Sequence, residues 1–172
     1  MKRIKLTKGQ YALVSDEDYE ELNKVKWFAL QSRGVKRFDA ARNAPSVKGK
    51  QKVLLMHRVI MNTPQGLDTD HINHNPLDNR RENLRICTHG QNISNQIKSI
   101  DNTSGFKGVV WNKRSKKWQA QVSQSGKQIY LGLFVDPKKA SLAYDNAAKR
   151  FFGEFALLNL LTPPPSQGEK ER

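Results

Sequence analysis

Residues 67–92, LDTDHINHNPLDNRRENLRICTHGQN, gather three histidines, three aspartates and five asparagines into one strongly polar stretch. Its larger apolar residues are few, mainly Leu67, Ile72, Leu77, Leu84 and Ile86, with Ile93 just beyond. So little apolar surface cannot fold the stretch on its own. In such a segment, metal ligation or a dense hydrogen-bond network usually takes the place of a hydrophobic core. The sequence predicts that one of these fixes the shape of residues 67–92.

An Asp-His pair and two later asparagines stand at defined distances within this stretch. Asp70 and His71 come first, Asn83 follows His71 by twelve residues, and Asn92 follows Asn83 by nine. A neutral imidazole can accept a proton near pH 7, because its ordinary pKa is about 6.5. Carboxylate and amide oxygens suit hard ions such as Mg²⁺ or Mn²⁺. These residue types are therefore suited to metal-assisted hydrolysis.

The spacing and the words TDHIN, RRENLR and GQN resemble the HNH motif, in particular that of phage-type HNH homing endonucleases. The resemblance implies a ββα-metal element over residues 57–97, in which two short strands surround a divalent ion and a helix returns the last ligand. It implies that His71 is the general base and that Asp70 and Asn92 bind the metal. It also implies that Asn83 orients the loop and His71, and that the protein serves a mobile element.

Some neighbouring side chains keep two interpretations. His57 lies in MHR, and either it or Arg58 contacts the scissile phosphate, or His57 is simply hydrogen-bonded in the packing of its strand. His89 stands three residues before Asn92, near the predicted metal. Cys87 is expected to be a small buried apolar residue.

Charge points to a polyanionic partner. The chain has 30 Lys and Arg against 16 Asp and Glu, a formal net charge of +14. Residues 31–58 carry eight basic residues against the single acid Asp39, and residues 102–135 carry six against none. Two basic faces that bind double-stranded DNA are predicted. A solvated surface without a function is the alternative.

Cysteine usage and hydropathy argue against a disulfide-bonded, zinc-thiolate, membrane-spanning or secreted protein. The single cysteine cannot close an intramolecular disulfide, and no CxxC pair is present for a zinc-thiolate site. No apolar run approaches the ~18 residues of a membrane span, and MKRIKLTKGQ lacks the apolar core of a secretion signal. We expect a cytoplasmic protein, bacterial or phage-encoded in a bacterial host, with no membrane contact and no obligate protein partner.

The pattern along the chain predicts an α+β protein. Within residues 3–62, RIKLTKGQYALV, VKWFALQ and KVLLMHRVIM are typical of strands in a twisted sheet, bounded by KG, SRG and VKGK turns. Ser15 begins one small helix in the same region. The predicted organisation is an N-terminal β-rich region with the nuclease element (1–98), a linker (99–104), a second domain (105–161) and a disordered tail (162–172).

The second domain has its own strand and helix signals. GFKGVVW, KWQAQVS and KQIYLGLF predict a three-stranded antiparallel sheet, with NKRSK and QSG between the strands. A helix follows, with Asp136 as N-cap, Pro137 at its first position and Gly153 at its stop. Alternation predicts an apolar sheet face of Trp118, Ala120, Val122, Ile129, Leu131 and Leu133, and the helix carries a matching stripe of Ala140, Ala143, Tyr144, Ala147 and Phe151.

The words SGFKGVVW, KWQAQV, YLGLF, AAKRFFG and LLNL resemble the APETALA-type DNA-binding domain of plant ethylene-response factors. The resemblance implies that the sheet lies in the major groove and the helix backs it. The candidate phosphate contacts are Lys107, Lys113, Arg114, Lys117 and Lys127, and Gln119, Gln121 and Gln128 are candidates for pairing with adenine. Tyr130 and Trp111 either contact bases or join the core, with contact favoured for Tyr130. Val110, Gln121 and Ser123 replace the charged residues usual in plants, so the target site does not transfer.

The function predicted from the sequence is a sequence-directed DNA endonuclease that uses one divalent metal. Two other interpretations stay open: a DNA-binding regulator whose HNH element is catalytically silent, and an RNA-binding protein with a structural zinc site. The missing CxxC pair and the missing aromatic stacking sheet argue against the second.

Overall fold

The computed structural model describes residues 1–31, 37–45, 52–98, 101–124 and 126–160. The chain forms two compact units, Met1–Asn92 and Ile93–Arg172, and the predicted α+β class is confirmed. The predicted SRG and VKGK turns, part of the QSG turn, two residues of the linker and the tail 162–172 lie outside the described residues. The predicted domain boundary after residue 98 stays a prediction. No helix in the described ranges is long and apolar enough to cross a membrane.

The N-terminal unit begins with a β-hairpin of β1 (Lys2–Lys5) and β2 (Tyr11–Val14). Lys8 and Gly9 both have positive φ, 56° and 67°, and the amide of Gln10 donates to the carbonyl of Thr7 across 3.2 Å. Two central residues with positive φ define the type I′ turn that matches the twist of a hairpin. The KG signal therefore located this turn correctly.

Helix α1 (Asp16–Asn23) and a second sheet follow the hairpin. That sheet has the order β3 (Phe28–Gln31), β4 (Phe38–Asn43) and β5 (Val53–Leu55), all antiparallel. The single twisted sheet expected here is therefore wrong, because the strands divide between two three-stranded sheets. Ser15 precedes α1 as predicted, but its hydroxyl accepts from the amide of Arg81, 3.0 Å away.

The run KVLLMHRVIM is only partly a strand. β5 ends at Leu55, and α2 (Met56–Ile60) follows at once. The interpretation of the whole run as a strand is wrong from Met56 onward. An unbroken apolar run cannot distinguish a strand from a short buried helix. Met56 and Ile60 are one helical turn apart, and both are buried in the core of the unit.

The polar stretch 67–92 contains β6 (Asp68–His71), β7 (Asp78–Asn79), β8 (Leu84–Cys87) and the start of α3 (His89–Asn95). β6 and β8 form an antiparallel pair, while β7 adds to the first sheet parallel to β2. This insertion joins the stretch to the hydrophobic core, where Leu84 is buried and Leu77 packs against it. The stretch therefore shares the core of the N-terminal unit and does not depend on its own few apolar residues.

The C-terminal unit is an antiparallel sheet with one helix. Its strands lie in the order β11 (Lys127–Phe134), β10 (Lys117–Gln124) and β9 (Val109–Asn112). Helix α4 (Pro137–Phe152) packs on the sheet through its small side chains Ala140, Ala143, Ala147 and Ala148 and through Tyr144. Asp136 caps the helix by accepting from the amide of Lys138 at 2.8 Å, and Gly153 ends it, as predicted.

The predicted apolar face of the sheet is wrong at one residue, Leu133. Ala120 pairs with Gly132, but Gln121 pairs with Tyr130, so Leu131 is an extra residue in β11. A bulge of this kind shifts the alternation beyond it by one residue. Leu131 and Phe134 therefore pack in the core, and Leu133 is 38% exposed.

Candidate functional site

The Asp-His pair lies on the hairpin of β6 and β8. In register, Asp70 pairs with Arg85, and His71, the last residue of β6, pairs with Leu84. Side chains alternate along a strand, so Asp68 and Asp70 share one face of β6. Asp70 and His71 are both buried, at 6% and 9% exposure. The pair is therefore held by the hairpin and largely shielded from water.

His71 is a neutral, buried imidazole. Its Nε2 lies 3.5 Å from Oδ1 of Asn79, and its ring meets the ring of His57 edge-on at a centroid distance of 4.9 Å. Burial lowers the pKa of His71 below 6.5, and the contact with Asn79 and nearby carboxylates, including that of Asp70, oppose this only partly. The ring can therefore accept a proton at neutral pH.

Asn79 is a site residue that the sequence did not reveal. It is fully buried on β7, and its Nδ2 donates to the carbonyl of Pro76 at 3.2 Å. Because the amide nitrogen is used there, the amide oxygen is the group beside His71. A contact of this kind with one ring nitrogen determines which nitrogen carries the proton. The DN dipeptide gave no signal, because β7 approaches His71 only through pairing with β2.

Asn83 holds the loop between β6 and β7. Its Oδ1 accepts from the amide of Asn73 at 2.9 Å, and its Nδ2 donates to Oδ1 of Asn73 at 3.0 Å and to the carbonyl of Asp78 at 2.7 Å. Its own carbonyl accepts from the amide of Ile72, next to His71, at 2.9 Å. Asn83 thus fixes both ends of the loop that follows His71, and its role in orienting His71 stays a prediction.

Asp70, a predicted metal ligand, is paired with Arg85 across the hairpin. Nε and Nη2 of Arg85 both lie 2.9 Å from Oδ2 of Asp70. The sequence missed this pair, since it depends on the register of β6 and β8. A bound cation would therefore have to share the Asp70 carboxylate with Arg85.

Asn92, the other predicted ligand, contacts Asp68. Its Nδ2 donates to Oδ2 of Asp68 at 3.1 Å, and Nδ1 of His89 lies 2.8 Å from the same oxygen. The hydrogen bonds from His89 and Asn92 lower the pKa of Asp68. The sequence did not single out Asp68, although its position two residues before Asp70 was a signal of a shared strand face.

These donors fit a hard divalent cation. Asp70 offers a carboxylate from β6, and Asn92 offers an amide oxygen from α3. Oxygen donors with few formal charges suit a hydrated Mg²⁺ or Mn²⁺ ion. Within the described ranges, no three His, Cys, Asp or Glu side chains form a metal-binding group.

His57 and Arg58 occupy α2 beside the hairpin. Nη1 of Arg58 donates to the carbonyl of Leu67 at 2.9 Å and lies 3.9 Å from Oδ1 of Asp68. Its guanidinium thus anchors the segment before β6. His57 is 7% exposed, and its Nδ1 has no hydrogen-bond partner in the described part of the chain. The alternative role predicted for His57 was a hydrogen bond within the packing, and Nδ1 makes no such bond in the described part of the chain. The ring of His57 instead contacts the ring of His71.

His57 should make the protein less stable in mild acid. Burial, followed by the charge effects of His71 and Arg58, lowers the pKa of His57 to about 3. Between pH 3 and 6.5 the unfolded chain therefore binds a proton that the folded chain excludes, and stability is lost as the pH falls through this window. From pH 7 to pH 5 we expect this residue to reduce the free energy of unfolding by about 2 kcal/mol.

Urea unfolding of the wild type and of His57→Leu at both pH values measures this contribution. The variant should lose less stability than the wild type over the same interval, because leucine cannot titrate. Equal losses in the two proteins would contradict the buried, neutral state of His57.

The sheet of the C-terminal unit exposes basic and polar side chains opposite its helix. Tyr130, on this face, is 59% exposed. Trp111 is 44% exposed, but it pairs with Trp118 on the face that packs against the helix, and the two rings meet at a centroid distance of 4.9 Å. Exposed side chains among the predicted DNA contacts are those of Lys113, Arg114, Lys117, Lys127 and Gln128.

Three amides on this face hydrogen-bond to one another. Nδ2 of Asn112 donates to Oε1 of Gln119, and Nε2 of Gln119 donates to Oε1 of Gln121, both at 2.9 Å. Both ends of the Gln119 amide are thus engaged within the sheet. The predicted pairing of Gln119 with adenine requires these bonds to break, whereas Gln121 keeps its Nε2 as a donor outside this chain of bonds.

Lys107 has a structural partner. Its ammonium donates to the carbonyl of Gln96 at 2.6 Å and also to that of Ser94, near the C-terminal end of α3. Burial lowers its pKa to about 8. The predicted phosphate contact of Lys107 would therefore compete with these bonds to the helix end.

Comparison with known sequences shows what the segment around this site is similar to. Residues 55–93 match the profile of a family described as HNH endonuclease, and this segment contains Asp70, His71, Asn83 and Asn92. An uncharacterized HNH endonuclease, L560, of Acanthamoeba polyphaga mimivirus is 29% identical over 88% of this chain and 76% of its own length. Protein 3.8 of Escherichia phage T7 is 40% identical over 38% of this chain, and the match spans about half, 54%, of that protein.

A shorter similarity connects the chain to plant regulators. The AP2-like ethylene-responsive transcription factor TOE2 of Arabidopsis thaliana is 37% identical over 59 residues, which are 34% of this chain and 12% of that protein. The APETALA2-like protein 2 of rice is 39% identical over 57 residues, 33% of this chain and 13% of that protein. The chain is therefore similar over most of its length to a viral HNH endonuclease, its residues 55–93 match the HNH endonuclease family, and a short region is similar to plant AP2-like transcription factors.

Proposed function

We propose that this protein is a metal-dependent DNA endonuclease that is directed to its site by the C-terminal unit, and that it serves a homing-type mobile element in the cytoplasm of a bacterial host. The observation that carries the proposal is the placement of a buried His71 beside Asp70 at the end of β6, inside the segment that matches HNH endonucleases. That pair combines a proton acceptor with a hard oxygen ligand for a divalent ion such as Mg²⁺ or Mn²⁺.

In this mechanism His71 accepts a proton from the attacking water. Asn79 accepts the hydrogen of Nε2, which leaves Nδ1 as the basic nitrogen. Asn83 holds the loop beyond His71 so that the ring keeps its direction. Asp70 and Asn92 would hold the cation, which neutralises the charge that develops on the phosphate and the leaving oxygen.

The exposed face of the C-terminal sheet supplies the DNA contacts in this proposal. Lys113, Arg114, Lys117 and Lys127 neutralise phosphates, and Gln121, Gln128 and Tyr130 face the bases. A protein that reads bases from a sheet needs exposed polar side chains backed by a rigid core, and α4 supplies that backing.

A non-catalytic DNA-binding regulator is the second candidate. The observation that favours it is the ion pair of Asp70 with Arg85, since a carboxylate engaged by a guanidinium is a weaker metal ligand. The two functions differ in one measurable property, which is cleavage of bound DNA.

Incubation with supercoiled plasmid tests the proposal. With Mg²⁺ or Mn²⁺ the wild-type protein should convert the plasmid to nicked or linear DNA, and EDTA should prevent this. Plasmid that stays supercoiled with either ion, under conditions where a gel shift detects binding, supports the regulator and contradicts the nuclease.

Two lysines of the C-terminal unit should behave differently in DNA binding. Lys117→Ala should reduce the slope of log affinity against log salt by about 1, because each phosphate contact releases about one counterion. Lys107→Ala should leave the slope near the wild-type value and lower the melting temperature, because its ammonium binds the helix carbonyls. Fluorescence titrations at several salt concentrations measure both slopes, and equal reductions would contradict the assignment.

A further inference from the structure

We propose that Asp68 is a positioning residue for Asn92: its carboxylate holds the amide nitrogen of Asn92, so that the amide oxygen is the atom left for the cation. The inference rests on the proposed function and assigns a role to a residue that neither the motif nor the comparisons single out. Asp68 precedes Asp70 by two residues and shares its strand face.

Asp68 is the point at which the start of α3 attaches to β6. One oxygen, Oδ2, accepts from Nδ2 of Asn92 at 3.1 Å and lies 2.8 Å from Nδ1 of His89. His89 and Asn92 are three residues apart and therefore lie on the same side of a helix. Two attachments to one carboxylate fix the rotation of this helical turn against the strand.

The attachment also determines which end of the Asn92 amide is available. A side-chain amide has donors only on nitrogen and lone pairs only on oxygen. With the nitrogen bound to Asp68, the oxygen lies at the other end of the same planar group. Hard cations bind amide oxygen and not amide nitrogen, so this orientation prepares Asn92 for its predicted role.

The other contacts of Asp68 involve both its carboxylate and its backbone. Nη1 of Arg58 lies 3.9 Å from Oδ1 and also donates to the carbonyl of Leu67 at 2.9 Å. The thiol of Cys87, the cross-strand partner of Asp68, donates to its backbone carbonyl at 3.8 Å. The backbone of Asp68 is thus held from β8, and its carboxylate lies beside a guanidinium of α2. A carboxylate placed in this way can orient a partner more firmly than a freely rotating side chain.

Substitution of Asp68 separates positioning from direct ligation of the metal. The oxygen of Asp68→Asn can still accept from Asn92, whereas Asp68→Ala offers no acceptor. Calorimetric titration of the full chain with Mn²⁺, without DNA, should show affinity reduced about 10- to 100-fold in Asp68→Ala and by only a few fold in Asp68→Asn. His89→Ala, which removes the other partner of Asp68 and keeps the bond to Asn92, is the matched control and should lose less than Asp68→Ala.

A second readout needs no metal. In ¹H–¹⁵N spectra of the metal-free protein, the side-chain NH₂ of Asn92 should keep its wild-type shifts in Asp68→Asn and move in Asp68→Ala. Wild-type Mn²⁺ affinity in Asp68→Ala would overturn the proposal. Affinity as low in Asp68→Asn as in Asp68→Ala would also overturn it, because Asp68 would then be a ligand through its charge.

The same titrations distinguish failure of this inference from failure of the proposed function. Wild-type protein that binds Mn²⁺ through Asp70, as tested with Asp70→Ala, but cuts no DNA refutes the endonuclease and leaves Asp68 to be decided by the affinities above. Wild-type protein that binds no Mn²⁺, or binds it equally well after Asp70→Ala, overturns both.

Discussion

Replacement of His71 by alanine should slow plasmid cleavage by about 10²- to 10⁴-fold, the usual contribution of a general base. The buried ring is the imidazole of the HNH segment that lies beside a predicted ligand, Asp70, and burial keeps it neutral at pH 7. Alanine removes the proton acceptor and leaves the carboxylate of Asp70 in place. The loss should therefore appear in the rate of cleavage at saturating protein, with DNA affinity and Mn²⁺ affinity close to wild type.

His74→Asn is the matched control for this experiment. It removes a histidine from the loop directly after His71, at a position where φ is 62° and asparagine is well tolerated. Cleavage by this variant should stay within a few fold of wild type. Equal cleavage by wild type and His71→Ala would refute His71 as the base, and equal losses in the two variants would indicate a general disturbance of the loop.

Gly108→Ala should unfold the C-terminal unit, at a cost of about 3–5 kcal/mol. Gly108 has φ of 72°, and a Cβ there would lie 2.0 Å from Cδ2 of Tyr144 and 2.7 Å from the carbonyl oxygen of Gln121. The Tyr144 ring is 3% exposed within the core, and the backbone of Gln121 is bonded to Gly108 in return, so neither can move aside. The amides of β10 should lose their protection from hydrogen exchange, and DNA affinity should fall.

Gly105→Ala provides the comparison. Its φ is 78°, but no atom lies within 4 Å of the Cβ that would be added. Only the strain of the left-handed backbone is expected, about 1 kcal/mol. If urea unfolding gives the same loss for both variants, the close approach of Gly108 to Tyr144 does not limit the stability of the unit.

Local signals predicted the elements of the C-terminal unit well. Asp136, Pro137 and Gly153 mark the ends of α4, and each acts through contacts with nearby residues in the sequence. The same signals failed at Leu133, because a bulge depends on how β10 and β11 pair. They failed again at Met56, where only the packing of the core distinguishes a short helix from a strand.

For the candidate site, the sequence predicted functional side chains but not the residues that contact them. Asp70, His71, Asn83 and Asn92 all lie in the segment that matches HNH endonucleases. The contacts of Asn79 with His71, Arg85 with Asp70, and Asp68 with Asn92 join residues that are between 8 and 24 positions apart. The periodic patterns of helices and strands do not predict contacts between residues so far apart in the sequence.

The sequence by itself determined the α+β class, the relationship to HNH endonucleases and the positive charge that suits DNA, because composition, spacing and turn chemistry are properties of the chain read in order. Only the tertiary structure decided that β7 inserts beside β2, that His71 is buried between Asn79 and His57, and that Asp68 holds Asn92. The physical reason is that strand register and burial depend on which distant segments pair, and a shift of one residue would exchange the side chains on each face.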